Sequence, residues 1–263
     1  MGGGGARGVH AGLPSRRSGF GRAGIEPVTR PEERLAHGIT REVLEADSVR
    51  AALQAHHPDV ALRSDQDLLE SVRATRAAAP ASAAANAGVW LFAYGSLLWN
   101  PCVYVHTRRS GRLYGFHRDF RLQLTHGRGS PECPGLMLGL VPGGSCRGAA
   151  LQITGPDLEH ELHLIWRREL ITGVYQPRWV RLATDDGDLD AVTFVIDPQH
   201  PCHAGRLDDA TTVELLATGQ GMIGTCAAYL ESTVAHLDEV GLYDRRLHHL
   251  RARVRARLHE RCA

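Results

Sequence analysis

The chain has 263 residues, of which 43% are hydrophobic and 22% charged, and its formal net charge at pH 7 is +1. This composition is typical of a globular protein with a full hydrophobic core. The near-neutral charge gives no global field for nucleic acid or an anionic membrane, so we expect neither as a partner. No run of about 18 apolar residues occurs, so no segment is predicted to span a membrane.

Six cysteines are scattered along the chain without a CxxC pair, at positions 102, 133, 146, 202, 226 and 262. The sequence begins without a secretory hydrophobic region. This pattern predicts reduced thiols and a cytoplasmic location, and it argues against a disulfide scaffold or a zinc ribbon.

The first 85 residues are expected to lie outside the catalytic core. Residues 1–32 are rich in glycine and arginine and predict a disordered tail, with a weak myristoylation or transit signal as alternatives. Residues 33–85 predict a helical segment and a linker. In this segment 65–72 indicate a helix capped by Asp65, and an Ala/Pro/Ser linker follows at 77–88 and leads into the next segment.

The segment 89–94 is a short apolar run, typical of a buried strand. Further short strands are predicted, separated by glycines, at 112–116, 120–125, 136–140, 148–153, 178–183 and 191–196. Helices are predicted at 211–218 and 225–237. Many short strands with few helices indicate an α+β domain built on a small mixed β-barrel with flanking helices, which we place at 86–243.

The predicted helix at 155–170 places a carboxylate on its apolar face. Leu158, Leu162 and Ile165 follow the helical period, and the next member of this stripe is Glu169. Burial would raise the pKa of Glu169 toward the range useful for proton transfer. Alternatively, the helix ends there and Glu169 turns to solvent or pairs with an arginine.

Two loops contain residues suited to binding. Tyr94, Gly95, Ser96 and Leu97 follow the first strand, where glycine lets the backbone turn sharply and approach a ligand. A second loop, residues 128–135, contains Arg128 in a tight segment, where it could hold a substrate carboxylate. Each loop could also be an ordinary surface turn.

Together these segments resemble the ChaC family, the glutathione-specific γ-glutamylcyclotransferases. The similarity extends from about residue 33 to 242, is greatest to bacterial members, and rests on five motifs in order, at 89–101, 128–135, 164–175, 197–201 and 221–225. The resemblance implies a small mixed barrel, a lyase activity that releases 5-oxoproline and cysteinylglycine from glutathione, and no metal or organic cofactor.

The resemblance also implies roles for individual residues. Glu169 is expected to be the proton acceptor, and Ala93, Tyr94, Gly95, Ser96, Leu97 and Leu98 are expected to hold the γ-glutamyl group, with Arg128 as a further substrate-binding residue. Two positions depart from the family pattern. Ala93 stands where glycine is usual, which would narrow the approach by a methyl group. Cys226 stands where asparagine is common, which removes one polar contact.

Several alternatives remain open. His160 and His163 are three residues apart rather than the four of the zincin pattern, so we expect no metal site. Ser96 lacks the Gly-x-Ser-x-Gly elbow of a hydrolase nucleophile. Cys102 is a possible nucleophile but is typical of a small buried thiol. The chain could instead be a non-catalytic module that binds γ-glutamyl peptides or regulates cation transport.

The segment 244–263 is basic and predicts a C-terminal helix. Four apolar residues form one stripe, at Leu247, Leu250, Val254 and Leu258, with seven arginines around it. This pattern favours an amphipathic helix docked on the core. Binding of RNA or an anionic surface is the alternative. The sequence leaves the oligomeric state open.

Overall fold

Five strands form the centre of the fold: β1 (Val89–Ala93), β2 (Thr107–Leu124), β3 (Gly135–Ile153), β4 (Tyr175–Ala183) and β5 (Leu189–Ile196). They close into a barrel in the order β1-β3-β2-β4-β5. The computed structural model describes residue 1 and residues 38–84 and 87–262; apart from Met1, the predicted tail lies outside these residues. A parallel contact between Leu91 of β1 and Val192 of β5 closes the barrel. The predicted small mixed barrel is confirmed.

The two long strands, β2 and β3, correct the sequence prediction, which divided each of them into two short strands. The middle of β2 is polar and therefore resembles a turn in the sequence. In the structure Arg118 and Asp119 are buried there. Arg118 donates a hydrogen bond to the carbonyl of Tyr94 at 2.7 Å, and Asp119 accepts one from Arg121 at 2.7 Å. Strands are recognised in a sequence by alternating apolar and polar residues. Buried charged residues that have partners interrupt this alternation, so the middle of β2 was not predicted as strand.

In the part of the chain that the structure describes, four helices precede the barrel and lie within the segment predicted to be helical: α1 (Arg41–Glu45), α2 (Ser48–His56), α3 (Asp65–Ala77) and α4 (Ala81–Ala84). The capping role predicted for Asp65 is wrong. Ser64 is the N-cap, because its hydroxyl accepts from the backbone N–H of Asp67 at 3.0 Å and the Asp67 carboxylate accepts from the N–H of Ser64 at 3.1 Å. The predicted linker contains α4, whose Ala83 is buried.

The remaining helices lie after β3 and match the predicted segments to within a few residues. They are α5 (Leu158–Glu169), α6 (Asp209–Thr218), α7 (Cys226–Glu239) and α8 (Arg245–Cys262). A two-stranded hairpin, β6 (Gln220–Gly221) and β7 (Gly224–Thr225), was not predicted. It lies directly on the loop after β2: a Cβ atom at Gly221 would be 2.3 Å from the carbonyl oxygen of Gly127. Only glycine fits at this position.

The C-terminal helix α8 packs its apolar stripe into the main core, where Leu247, Leu250 and Val254 are buried. Its arginines form ion pairs with acidic residues of neighbouring elements: Arg246 with Asp119, Arg251 with Asp238, Arg253 with Asp209, Arg255 with Glu231 and Arg257 with Glu214. These pairs give the basic residues a structural role. Over the described ranges, no helix is both long and apolar enough to cross a membrane.

Candidate active site

A cavity of about 360 Å³ lies where the turn after β1, the end of α5, the loop after β2 and helix α7 meet. This volume is in the range of small-molecule sites. The lining is largely apolar, and its charged side chains are Arg128, Arg168 and Glu169. The structure thus brings together the two loops and the stripe carboxylate that the sequence singled out separately.

Glu169 is the last residue of α5 and lines the cavity. Leu162 and Ile165, earlier on the same stripe, are buried in the core, and the helical period carries Glu169 to the same side. Its side chain is 15% exposed and lies 3.1 Å from Nε of Arg168. Burial raises the pKa of Glu169, and the nearby Arg168 charge opposes that rise without cancelling it. The structure therefore has features of both interpretations of the sequence. Glu169 is paired with Arg168, and its carboxylate is also shielded from solvent.

The turn after β1 forms part of the cavity wall. Tyr94, Gly95, Ser96 and Leu97 line it. Residues Ser96–Leu98 form one turn of 3₁₀ helix, in which the N–H of Leu98 donates to the carbonyl of Gly95 at 2.9 Å. The N–H groups of Gly95 and Ser96 make no hydrogen bond to any other described residue. A Cβ atom at Gly95 would be 3.2 Å from the hydroxyl of Tyr229, so glycine keeps this approach open.

Ala93 and Leu98, which the resemblance included in the substrate site, are buried in the main core and do not line the cavity. Ala93 is fully buried and pairs with Ala149 of β3. Its methyl group therefore packs within the barrel rather than narrowing the cavity.

Arg168 connects the end of α5 to the turn after β1. Its role in the site was not predicted from the sequence. Its Nη2 donates to Oγ of Ser96 at 2.8 Å, its Nη1 donates to the carbonyl of Asn100, and its Nε faces Glu169. The Arg168 side chain is 6% exposed. One buried cation thus holds the acidic residue of α5 and the turn after β1 in a fixed relation.

Arg128 lines the cavity from the loop after β2. Its guanidinium is 5.1 Å from the centre of the Tyr229 ring, and its Nη1 is 3.4 Å from the carbonyl of Thr225. No carboxylate in the described part of the chain forms an ion pair with Arg128. Burial lowers its pKa, but a guanidinium stays protonated in proteins, so Arg128 presents an unneutralised positive charge beside the cavity.

Three tyrosines, Tyr94, Tyr175 and Tyr229, also line the cavity. The hydroxyl of Tyr94 donates to the carbonyl of Phe194 at 2.9 Å, and that of Tyr175 donates to the carbonyl of Leu138 at 2.6 Å. Burial raises the pKa of both, and it raises the pKa of Tyr229 to about 12. All three are therefore neutral at physiological pH.

Cys226, the second departure from the family pattern, makes two polar contacts. Its sulfur accepts from the N–H of Leu136 at 3.2 Å and donates to the carbonyl of Arg128 at 3.3 Å. A Cβ atom at Gly135 would be only 2.5 Å from this sulfur. Cys226 therefore fixes the Arg128 loop against the start of α7 through these contacts.

The alternative sites receive little support from the structure. Cys102 does not line the cavity, and burial raises the pKa of its thiol, which favours the unreactive protonated form. His163 lies 3.1 Å from Asp65, and His160 is half exposed. Within the described ranges, no group of three or more His, Cys, Asp or Glu residues is arranged to hold a metal ion.

Comparison with solved structures agrees with the barrel. A crystal structure of a γ-glutamyl cyclotransferase specific to glutathione from yeast superposes with a TM-score of 0.60 at 18% identity. The match covers 65% of this chain and 97% of the yeast chain. At this identity the comparison supports the fold alone.

Sequence comparison extends beyond the barrel. A protein from Escherichia coli (strain K12) named glutathione-specific γ-glutamylcyclotransferase is 38% identical over 223 residues, which cover 84% of this chain and 94% of that protein. The human glutathione-specific γ-glutamylcyclotransferase 1 is 31% identical over 148 residues, which cover 54% of this chain and 66% of the human protein. A family model described as ChaC-like protein matches residues 89–257, from the first barrel strand into α8. Because this match includes both loops, Glu169 and all five barrel strands, the chain belongs to the ChaC family.

Proposed function

We propose that this chain is a lyase that cleaves glutathione into 5-oxoproline and cysteinylglycine. The α-amine of the glutamyl group attacks its own γ-carbonyl, a five-membered ring closes, and the amide bond to cysteine breaks. The observation that carries the proposal is that a shielded carboxylate, Glu169, shares one cavity with the turn Tyr94–Gly95–Ser96. The 38% identity to the E. coli protein supports the choice of substrate.

Glu169 is the proposed proton acceptor. The substrate amine is an ammonium at neutral pH and cannot attack until a base removes a proton. Burial raises the pKa of Glu169, which makes its carboxylate a better base than an exposed glutamate. Ring closure leaves two protons on the attacking nitrogen, so Glu169 must also remove the second one. Glu169 passes both protons in turn to the nitrogen of the leaving cysteinylglycine, which departs as an ammonium, so the protons balance and the carboxylate is restored without a second acid. General acid–base catalysis of this kind contributes about 10²- to 10⁴-fold in rate.

The unused N–H groups of Gly95 and Ser96 are the proposed donors to the oxyanion that develops on the γ-carbonyl. Each preorganised donor of this type contributes roughly 3 kcal/mol of transition-state stabilisation. A folded-back glutamyl chain held in the cavity adds orientation, which accounts for up to ~7–11 kcal/mol in intramolecular reactions. No covalent intermediate with the protein is needed.

Arg128 is proposed to bind a substrate carboxylate. It is the cavity's positive charge without an ion-pair partner among the described residues, whereas the charge of Arg168 is opposed by Glu169. Glutathione carries two carboxylates, one on each side of the scissile bond.

The alternative, a non-catalytic binding or transport-regulating module, predicts the same cavity but no turnover. A binding module gains nothing from a shielded carboxylate whose pKa is raised, so the state of Glu169 favours the enzyme. We place the activity in the cytoplasm, in keeping with free thiols at Cys102, Cys133, Cys146, Cys202 and Cys226.

The test is release of 5-oxoproline from glutathione by the wild-type chain and by Glu169→Gln. The variant keeps the size and shape of the side chain but has no basic oxygen. It should fold normally and lose turnover by about 10²- to 10⁴-fold. Glu159→Gln, on the exposed side of the same helix, is the matched control and should keep full activity. Wild-type protein that binds glutathione but releases no 5-oxoproline would establish the binding module instead.

A further inference from the structure

Part of the cavity wall comes from the N-terminal segment, outside residues 89–257 that the family model matches. Gly38 and Ile39 precede α1, Val49 and Leu53 lie on α2, and all four line the cavity. Leu53 is buried and Val49 is half-buried. The cavity is therefore not formed by the barrel and its later helices alone.

Hydrogen bonds hold this segment against the catalytic elements. The Asn100 side chain donates to the carbonyl of Ile39 at 2.7 Å, next to the site where Arg168 contacts Asn100. After α2, the N–H of Arg63 donates to the carbonyl of Ile171, two residues beyond Glu169, at 2.8 Å. These contacts at both ends fix the position of α2 relative to the proposed base.

The tip of the β6–β7 hairpin forms another part of the cavity wall. Met222 and Ile223 belong to the same apolar cluster as Ile39 and Val49, around buried Val43 and Ala52, and they also line the cavity. The N–H of Ile223 donates to the carbonyl of Gly127 at 3.0 Å, which ties the hairpin tip to the Arg128 loop. The cavity wall thus includes an apolar patch from two separate elements in addition to the polar groups proposed for catalysis.

We infer that Val49 and Leu53, together with Met222 and Ile223, form an apolar subsite for the side chain of the second residue of a γ-glutamyl peptide. The inference rests on the proposed function. The glutamyl group must lie beside Glu169 and the Gly95–Ser96 turn for its ring to close. The second residue is bonded directly to the scissile nitrogen, so its side chain enters the rest of the cavity.

The chemistry of this wall sets the selectivity. The side chain of cysteine is small and uncharged and fits between apolar walls. A larger side chain meets the Val49 and Leu53 side chains, and a cationic one loses its hydration in a cavity whose unpaired charge, Arg128, is also positive, which is costly. Val49 and Leu53 are therefore specificity-determining residues that exclude γ-glutamyl peptides with a bulky or cationic second residue.

The experiment compares Val49→Ala with wild type on three tripeptides: glutathione and its analogues in which leucine or lysine replaces cysteine. Wild type should favour glutathione over both analogues. Val49→Ala enlarges the subsite, so kcat/KM for the leucine analogue relative to glutathione should rise by about 10-fold, the scale of a one- to two-carbon difference in an apolar pocket. The lysine analogue should remain a poor substrate, because added space does not neutralise its charge.

Val49→Phe tests the opposite direction and should lower kcat/KM for glutathione mainly by raising KM. Gln54→Phe adds the same group on the exposed side of α2. It should change neither kcat/KM for glutathione nor the leucine-to-glutathione ratio of kcat/KM. Circular dichroism and a thermal melt show whether each variant is folded. An unchanged leucine-to-glutathione ratio in folded Val49→Ala overturns the subsite while the proposed function stands. Failure of wild type to release 5-oxoproline from any of the peptides overturns the proposed function itself.

Discussion

Nη2 of Arg168 donates a hydrogen bond to Oγ of Ser96 at 2.8 Å, and this contact joins the end of α5 to the turn after β1. The same guanidinium approaches Glu169 through Nε at 3.1 Å. The proposed base and the proposed oxyanion donors lie on different elements, so their relative position depends on this arginine.

Replacing Arg168 by methionine should therefore change both rate and pH dependence. We expect kcat/KM for glutathione to fall by about 10- to 100-fold, the equivalent of one lost charged hydrogen bond of ~1.5–3 kcal/mol. Removing the cation also removes the effect that opposes the raised pKa of Glu169, so that pKa should rise further. The base works only when ionised, so activity on the acidic side should be lost at a higher pH than in wild type.

A pH profile of kcat/KM measures this shift. Among the described residues, the other groups that interact with Glu169 and lose a proton on ionising are Tyr94, Tyr175, Tyr229 and Cys102. Burial raises the pKa of all four, so they stay neutral on the acidic side and the acidic limb reports the carboxyl group. Arg168→Lys keeps a positive charge with fewer hydrogen-bond donors. The acidic limb of its pH profile should lie between those of wild type and Arg168→Met. An acidic limb that does not move in Arg168→Met would contradict the proposed electrostatic role.

Replacing Ser96 by alanine should have a smaller effect than replacing Glu169. The backbone N–H of Ser96 remains, and only the acceptor for Arg168 is lost. We expect about a 10-fold decrease in kcat/KM from one missing hydrogen bond of ~1–1.5 kcal/mol. Ser96→Thr keeps the hydroxyl and serves as control. A decrease of more than about 10³-fold in Ser96→Ala would mean that the hydroxyl itself takes part in the reaction.

Replacing Cys226 by alanine should loosen the Arg128 loop. The carbonyl of Arg128 and the N–H of Leu136 would both lose their sulfur partner, at a cost of about 1–3 kcal/mol in the free energy of unfolding. We expect KM for glutathione to rise while kcat changes little, measured by steady-state kinetics. Cys146→Ala, a buried thiol in a different core cluster, should lower stability and leave KM unchanged. An equal KM effect in both variants would argue against a specific role for Cys226.

Replacing Glu161 by glutamine should release the N-terminal segment from α5. Glu161 is buried and accepts hydrogen bonds from both ends of the Arg41 guanidinium, at 2.7 and 2.9 Å, and from the N–H of Tyr104 at 2.9 Å. We expect about 1–3 kcal/mol of destabilisation in urea unfolding at pH 7. Glu159→Gln breaks an exposed pair with Arg73 on the same helix and should cost less than about 1 kcal/mol.

The loss of stability caused by Glu161→Gln should also depend on pH. Burial opposes its ionisation, but the hydrogen bonds from Arg41 and Tyr104 outweigh burial and lower its pKa. Its contribution to stability is therefore complete above the ordinary glutamate pKa of about 4.3 and is lost as pH falls through the lowered value. The difference between wild type and Glu161→Gln should shrink below about pH 4, and a constant difference would contradict this account.

The elements with regular apolar patterns were predictable from the sequence. β1 is apolar at all five positions, α5 has its stripe at a helical period, and α8 has its own, and each formed where predicted. The middle of β2 was missed because buried Arg118 and Asp119 are polar. Their partners, such as Tyr94 and Arg246, are distant in the sequence and become neighbours only in the closed barrel.

The candidate site shows the same division. The helical period alone directed Glu169 toward the core, and the glycine turn indicated a close backbone approach. Nothing in the sequence distinguishes Arg167 from Arg168, yet Arg167 pairs with Asp65 of α3 while Arg168 enters the cavity. Adjacent residues point about 100° apart on a helix, so which one is inside depends on what packs against each face.

The sequence by itself determined the family, the barrel and the position of the shielded acid, because these depend on local periodicity and short motifs. Only the tertiary structure decided which arginine holds Ser96, how Cys226 supports the Arg128 loop and that α2 lines the cavity. These are contacts between segments far apart in the chain, and their geometry arises only when the barrel closes and the helices pack against it.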